Sequence, residues 1–310
     1  MEQKQQASTG TNLMQLKNTL NAPNVKQKFE QMLGKRASQF MTSITSVVSQ
    51  SLLLQKADVN SIVMGAAVAA SMDLPLNPAL GYAALVPYND TKKGGCYAQF
   101  QVMRNGWVEL LLRSGQCVDV INEPVREGEL IEYNKFTGKA EFKDNHDESK
   151  PVIGYMASFE LTNGFKKTLY MTKEEVIAHA TKYSQSFRNK QGNWQKDFDS
   201  MGLKTVLKKL ITKFAPKSLE RIMDAIEYDQ SVVDGDAAKM NMEDVHPRYA
   251  DNPEGDGIVV DAEAEVIDNN KAPEAPADSA NSAPSPNTQK GAQEGLFAGQ
   301  EEPDNKNADY

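Results

Sequence analysis

The chain has 310 residues, room for one or two domains, with 40% hydrophobic residues and a formal net charge of −8. The charge is unevenly placed: residues 224–310 carry 21 acidic and 5 basic residues, whereas residues 1–223 carry 21 acidic and 29 basic ones. A basic body with an acidic tail points to nucleic-acid or membrane contact, and no apolar run approaches the roughly 18 residues that would span a bilayer.

The N-terminus, "MEQKQQASTGTN", lacks the basic-then-apolar signature of a secretory signal. Cys96 and Cys117 make no disulfide framework or metal spacing. A reducing, cytoplasmic setting is expected. Residues 1–23 are polar and expected to be disordered. From Asn24, a plausible cap, Phe29, Met32, Leu33, Phe40, Ile44, Val47 and Val48 recur at helical intervals, interrupted at Gly34. Asp58 could cap the next helix, "VNSIVMGAAVAASM", whose small residues suit close packing.

Leu74-Pro75 and Asn77-Pro78 then disfavour helix. Tyr82 to Tyr88 and Tyr97 to Met103 read as two strands joined by "NDTKKGG", a stretch with the Asn, Asp and Gly of turns. Trp107, Leu110 and Leu111 mark a short helix ending at Gly115. Residues 117–170 are mostly strand-like, with Asn163-Gly164 between alternating apolar runs as the strongest hairpin signal. Thr172 and Glu175 form a capping box before Val176, Ile177 and Ala180. Helices are expected over 199–214 and 218–229. From Ala237 the chain turns rich in Asp, Glu, Ala, Pro, Ser and Asn. It is expected to be a disordered acidic tail over 237–310, leaving 24–236 as the core.

The most informative segment is 182–221. It holds ten bases (Lys182, Arg188, Lys190, Lys196, Lys204, Lys208, Lys209, Lys213, Lys217, Arg221) against three acids (Asp197, Asp199, Glu220). On the helix from 199, Leu203, Val206, Leu207, Leu210, Ile211 and Phe214 form an apolar stripe. Lys204, Lys208 and Thr212 are expected on the opposite face, flanked by Lys209 and Lys213. Tyr183, Phe187 and Trp194 are interleaved just upstream. Cations that follow phosphates beside rings that accept bases are the requirements of single-strand binding. A solvated lysine face on a surface helix would give the same pattern.

A second pattern is catalytic. Glu127 and Glu129, followed by Glu141-x-Lys143, have the spacing of an acid on one strand and an acid-x-Lys on the next, as metal-dependent nucleases use. Charged strands on an exposed sheet face also produce it by chance. His146, His179 and His246 are scattered and form no zinc or nucleophile arrangement. No G-x-x-x-x-G-K-[ST] occurs, so an ATP-driven motor is not expected.

The segments "LPLNPALGYAALVPY", "AQFQVMRNGWVELLLRSGQ", "VREGE", "GYMASFELTNGFKKTLYMTKEEVIAHATKYS" and "NWQKDFDSMGLKTVLKKLI" run in order over roughly residues 25–230. Together they resemble the RecT family of phage and prophage single-strand annealing proteins. The resemblance implies an α+β fold, a helical bundle joined to a small antiparallel sheet or hairpin. It implies ATP-independent binding of single-stranded DNA in a basic groove, assembly into rings or filaments, and pairing with a complement through an annealed duplex intermediate. No cofactor is implied, neither ATP nor magnesium. A 5′ to 3′ exonuclease and a host single-strand-binding protein are the implied partners, in the cytoplasm of a bacterial host. By the "W…DFD.M.LKT" pattern, Trp194, Met201, Lys204 and Lys208 are the groove candidates, with Lys182, Arg188, Lys190, Lys209 and Lys213 beside them. Arg104 and Arg113 are secondary candidates that could equally be structural ion-pair partners. A plain protective single-strand binder, the nuclease and a phage scaffolding protein are the alternatives.

Overall fold

A computed structural model describes residues 2–90, 93–143, 146–190, 192–240 and 242–249. The described residues lie in the first of two units into which the chain divides, Met1–Ala262. Helices α1 (Glu2–Asn21), α2 (Pro23–Leu33), α3 (Ala37–Ser49) and α4 (Val59–Ser71) make an N-terminal helical layer. α4 is buried along nearly its whole length because it lies between that layer and a sheet. Its small residues permit this: a Cβ on Gly65 would stand 2.9 Å from Leu85 Cδ2. Asp58 caps the helix, accepting a hydrogen bond from Ser61 N at 2.8 Å.

Two sequence expectations fail here. Residues 1–23 are not a disordered leader: α1 spans most of them, and Leu16 and Leu20 are buried in the core. Asn24 is not a cap. The next helix starts one residue earlier with Pro23 in its first turn, where the missing N–H costs nothing, and the Asn24 side chain donates to Ala238 O.

Strands β1 (Ala83–Asn89) and β2 (Cys96–Val102) form the expected hairpin, with Ala83 opposite Val102 and Asn89 opposite Cys96. Helix α5 (Arg104–Arg113) follows. Strands β3 (Cys117–Arg126), β4 (Leu130–Asn134), β5 (Lys139–Phe142), β6 (Val152–Leu161) and β7 (Lys166–Thr172) come next. β3, β6 and β7 make one antiparallel sheet, and β4–β5 is a separate hairpin. Gly164, at φ +83, supplies the turn between β6 and β7.

Helices α6 (Lys173–Tyr183), α7 (Gln185–Arg188), α8 (Asn193–Lys196), α9 (Phe198–Phe214) and α10 (Glu220–Tyr228) follow. The capping box opens α6: Thr172 Oγ1 accepts from Glu175 N, and Glu175 Oε2 accepts from Thr172 N. Two short strands, β8 (Ser231–Asp234) and β9 (His246–Arg248), then extend the first sheet in the order β1-β2-β8-β9. The fold is α+β.

The tail therefore begins later than residue 237. Ala237, Met240 and Val245 are buried, and Ala237 N donates to Asn60 Oδ1 at 2.6 Å. Arg248 forms ion pairs with Asp90 and Asp234 and lies 4.9 Å from the centre of the Tyr97 ring. The remainder of the expected tail, 250–310, lies outside the described residues. Among the described residues no helix is long and apolar enough to cross a membrane.

Candidate nucleic-acid interface

α9 joins the two sheets. Its apolar stripe, Leu203, Val206, Leu207, Leu210 and Ile211, is buried, and it packs against β6, β7 and α5. Gly202 lets the helix meet β6 closely, since a Cβ there would lie 2.7 Å from the Tyr155 ring. The Tyr155 hydroxyl donates to Asp199 Oδ1 at 2.5 Å, and burial raises its pKa well above the ordinary tyrosine value.

Where the first turn of α9 meets the start of α5, the surface opens into a cleft of about 340 Å³. Gly81, Met103, Arg104, Asn105, Asn193, Asp197, Ser200, Met201 and Lys204 line it. The size is near the lower end of small-ligand sites, about 300–1,000 Å³. Beside the cleft, Gly106 lets the first turn of α5 pack on the strand approach: Tyr82 O passes so close that a Cβ would stand 2.0 Å away. Arg104 is braced from behind, donating through Nε to Asn122 Oδ1 at 2.7 Å and through Nη2 to Asn122 O at 2.6 Å. Asn122 in turn donates to Met156 O and Leu203 O, so the guanidinium is fixed to β3, β6 and α9 at once. Among the described residues, nothing else accepts from its remaining N–H groups. Asp197 is committed to capping α9 through Ser200 N and Oγ, which hold its carboxyl below the ordinary aspartate value.

Lys204 does not stand on an exposed face. It is 4% exposed, and Nζ donates to Gln101 Oε1 at 3.2 Å and lies 3.7 Å from Met103 Sδ. Burial pushes its pKa below the ordinary lysine value; Asp229 opposes that shift and Lys208 adds to it. Lys208 is also held inward: Nζ lies 2.7 Å from Oδ2 of Asp229, a carboxylate with 0% side-chain exposure, and 3.2 Å from Gln230 Oε1. Asp229 Oδ1 accepts from Val102 N at 2.7 Å. The expected lysine row is thus a polar seam between α9 and the first sheet, and only Lys204 also reaches the cleft.

The other expected residues divide. Trp194 is not a free stacking ring. It is 6% exposed, with its ring 5.3 Å from Phe187 and 5.4 Å from Phe198, in the aromatic cluster that seats α7 and α8 on α9. Arg113 is an ion-pair partner, bonded to Asp73 and Glu109 and donating to Met72 O and Asp73 O at the end of α4. Arg188 donates to Thr181 O and Lys182 O and closes the C-terminus of α6. Lys182 lies 4.9 Å from the Tyr183 ring, Lys190 is exposed, Lys209 is half-buried and Lys213 is exposed beside Phe214. The cleft therefore gathers Arg104, Met201 and Lys204 and leaves the rest outside it. Gln101, Asn105 and Asn193 lie within the segments that carry the family resemblance but have no charge to single them out, and sequence reasoning missed them.

The sequence profile of the RecT family matches residues 38–271, most of the chain. The chain belongs to the RecT family. A relative in Bacillus subtilis (strain 168), the uncharacterized protein YqaK, is 43% identical over 216 residues, covering 70% of this chain and 72% of its own.

RecT-family proteins are annealing proteins of phage-type DNA recombination, not classical enzymes, and single-stranded DNA is their ligand. The residues of the acid-x-Lys pattern lie on and beside the β4–β5 hairpin of this RecT-family chain. Glu129 accepts from Arg126 N at 2.6 Å and meets His146 Nδ1 at 2.8 Å, while Lys143 N donates to Glu129 O. Glu141 stands opposite Glu132 on the β4–β5 hairpin. Among the described residues, no three His, Cys, Asp or Glu side chains cluster to hold a metal ion.

Proposed function

We propose that this chain binds single-stranded DNA with the Arg104–Met201–Lys204 cleft as its anchor and anneals complementary strands as a homo-oligomer, without ATP. The observation that carries this reading is Lys204. A buried ammonium whose near partners are a neutral amide and a thioether costs stability. Asp229 offsets that cost only in part; a phosphate entering the cleft adds a negative charge beside Nζ, and Arg104, already braced, offers donors to the same group. Met201 and Met103 present polarizable apolar surface to a base or sugar.

Annealing follows from electrostatics. A strand whose phosphates are neutralised repels a second strand less, so its bases can test pairing. A wrong register forms few stacked pairs and dissociates. Binding energy alone drives the exchange, so neither nucleotide hydrolysis nor magnesium is required. An exonuclease of 5′ to 3′ polarity would supply the strand, and a host single-strand-binding protein would hold it before transfer.

Met201→Glu tests the anchor. The side chain is half-buried, packed on the core and open to the cleft, so a carboxylate there adds repulsion where the strand would lie at a modest cost in packing. Oligonucleotide binding should fall at least about tenfold at 50 mM salt while the variant stays folded, as its circular dichroism checks. Wild-type affinity in this variant would place the strand elsewhere.

A further inference from the structure

The β4–β5 hairpin carries a ring that the fold does not use. Phe136, in its turn, is 85% exposed. Burying such a side chain is favourable by the size of its apolar surface, so full display calls for an occupant. Lysines accompany it on the hairpin and on β7. Lys135 Nζ lies 5.4 Å from the ring, and Lys139 follows in β5. Lys167, from β7, reaches across Gly138 and donates to Thr137 O at 3.1 Å. Gly138, at φ +70, makes room: a Cβ there would stand 2.8 Å from Lys167 Nζ.

The same Lys167 Nζ lies 5.0 Å from the ring of Phe214, at the end of α9, and Lys213 Nζ lies 5.5 Å from it. Among the described residues, Lys135, Lys139, Lys167 and Lys213 make no ion pair. The Tyr133–Tyr170 edge contact, at 5.6 Å, fixes the hairpin to β7, so the band is built rather than incidental. The acids of the hairpin, Glu132 and Glu141, face each other across its strands.

We propose that this band, Phe136 with Lys135, Lys139, Lys167, Lys213 and Phe214, binds single-stranded DNA at a place separate from the cleft, and that in annealing it receives the second strand. This rests on the annealing reading above. Rings alternating with unpaired lysines suit a strand of any sequence, with bases on the rings and phosphates on the ammonium groups. Position argues for the second strand. Met201 and Phe214 stand at opposite ends of α9, thirteen residues apart or roughly 20 Å, so one bound nucleotide cannot serve both. Because the lysines are unpaired, the band holds its strand by attraction that salt weakens, as a site that must release a duplex requires.

The test uses the full chain with Phe136→p-benzoylphenylalanine. A labelled strand is bound first, a complement with a second label is added, and the sample is irradiated. Cross-linking to the second strand supports the proposal. Cross-linking only to the first strand, only to a neighbouring protomer, or to nothing overturns it. In parallel, Phe136→Ala with Lys139→Gln should leave first-strand affinity within about twofold and slow annealing about tenfold. Unchanged annealing by that variant also overturns it. Wild-type protein that fails to anneal, while residue 136 still cross-links the added strand, would sink the annealing reading and keep the band as a strand site.

Discussion

Lys208 Nζ lies 2.7 Å from Asp229 Oδ2, and this contact ties α9 to the segment that leads into β8. Asp229 is fully buried, so removing its partner leaves an uncompensated charge. Lys208→Ala should destabilise the fold by about 3 kcal/mol, and Lys208→Glu by more, before any effect on DNA. A denaturant titration without DNA checks it. A Lys208→Glu protein as stable as wild type would mean the pair does not form.

Lys204 should behave in the opposite sense. Lys204→Met keeps the stem and removes the ammonium, so stability should hold or rise by about 1 kcal/mol while strand affinity falls. The log affinity–log salt slope should flatten by about 0.7, the loss of one phosphate contact. The pH dependence has a definite sign. Burial holds the folded pKa of Lys204 below its ordinary, unfolded value. Below the folded value both states are protonated and the full cost of burial is present. As pH rises from there toward the ordinary value, the unfolded state binds more protons and the cost is relieved. The advantage of Lys204→Met over wild type should therefore shrink with rising alkaline pH, as thermal melts from neutral pH upward would record.

Trp194→Ala should cost about 3–5 kcal/mol of stability in the absence of DNA, the range for emptying a buried aromatic site. Phe187 and Phe198 would lose their shared partner. A variant with unchanged melting and weakened strand binding would instead make Trp194 a stacking platform.

What the sequence made legible follows local chemistry. Asp58, the Thr172–Glu175 box, the Asn163-Gly164 turn and the β1–β2 alternation each act through neighbours a few residues away, and each stands as expected. The errors concern long-range packing. Leu16 and Leu20 are ordinary helix positions until α1 finds the bundle. β8 is four residues long and earns its place by pairing with β2. On α9, at about 100° per residue, Lys204 and Lys208 lie on one flank of the apolar stripe and Lys209 and Lys213 on the other. No face holds all four, and a sheet covers the first flank. The Phe187–Trp194–Phe198 cluster belongs with these: its rings come from α7, α8 and α9, so they meet only once the breaks at Gly192 and Asp197 fold the three elements together.

The end of the body decides how a truncation should behave. Stopping after residue 236 removes buried Met240 and Val245 and the Arg248 ion pairs, at about 1.5–3 kcal/mol for each buried side chain. Stopping after Tyr249 removes 14 acidic and 3 basic residues and none of that packing. A tethered polyanion competes weakly with DNA at high effective concentration. The chain ending at 249 should therefore bind strands more tightly at low salt, with the difference fading as salt screens it. Equal affinities at every salt concentration would remove the competition.

The central claim is that this chain pairs strands by binding alone. Complementary oligonucleotides, one carrying a fluorophore and the other a quencher, are mixed with the full chain in EDTA without ATP. Duplex formation and strand length are followed together. Pairing should be faster than in buffer, with both strands intact and the acceleration lost in Met201→Glu. Strand binding with no acceleration, or strands shortened as they pair, would contradict that claim.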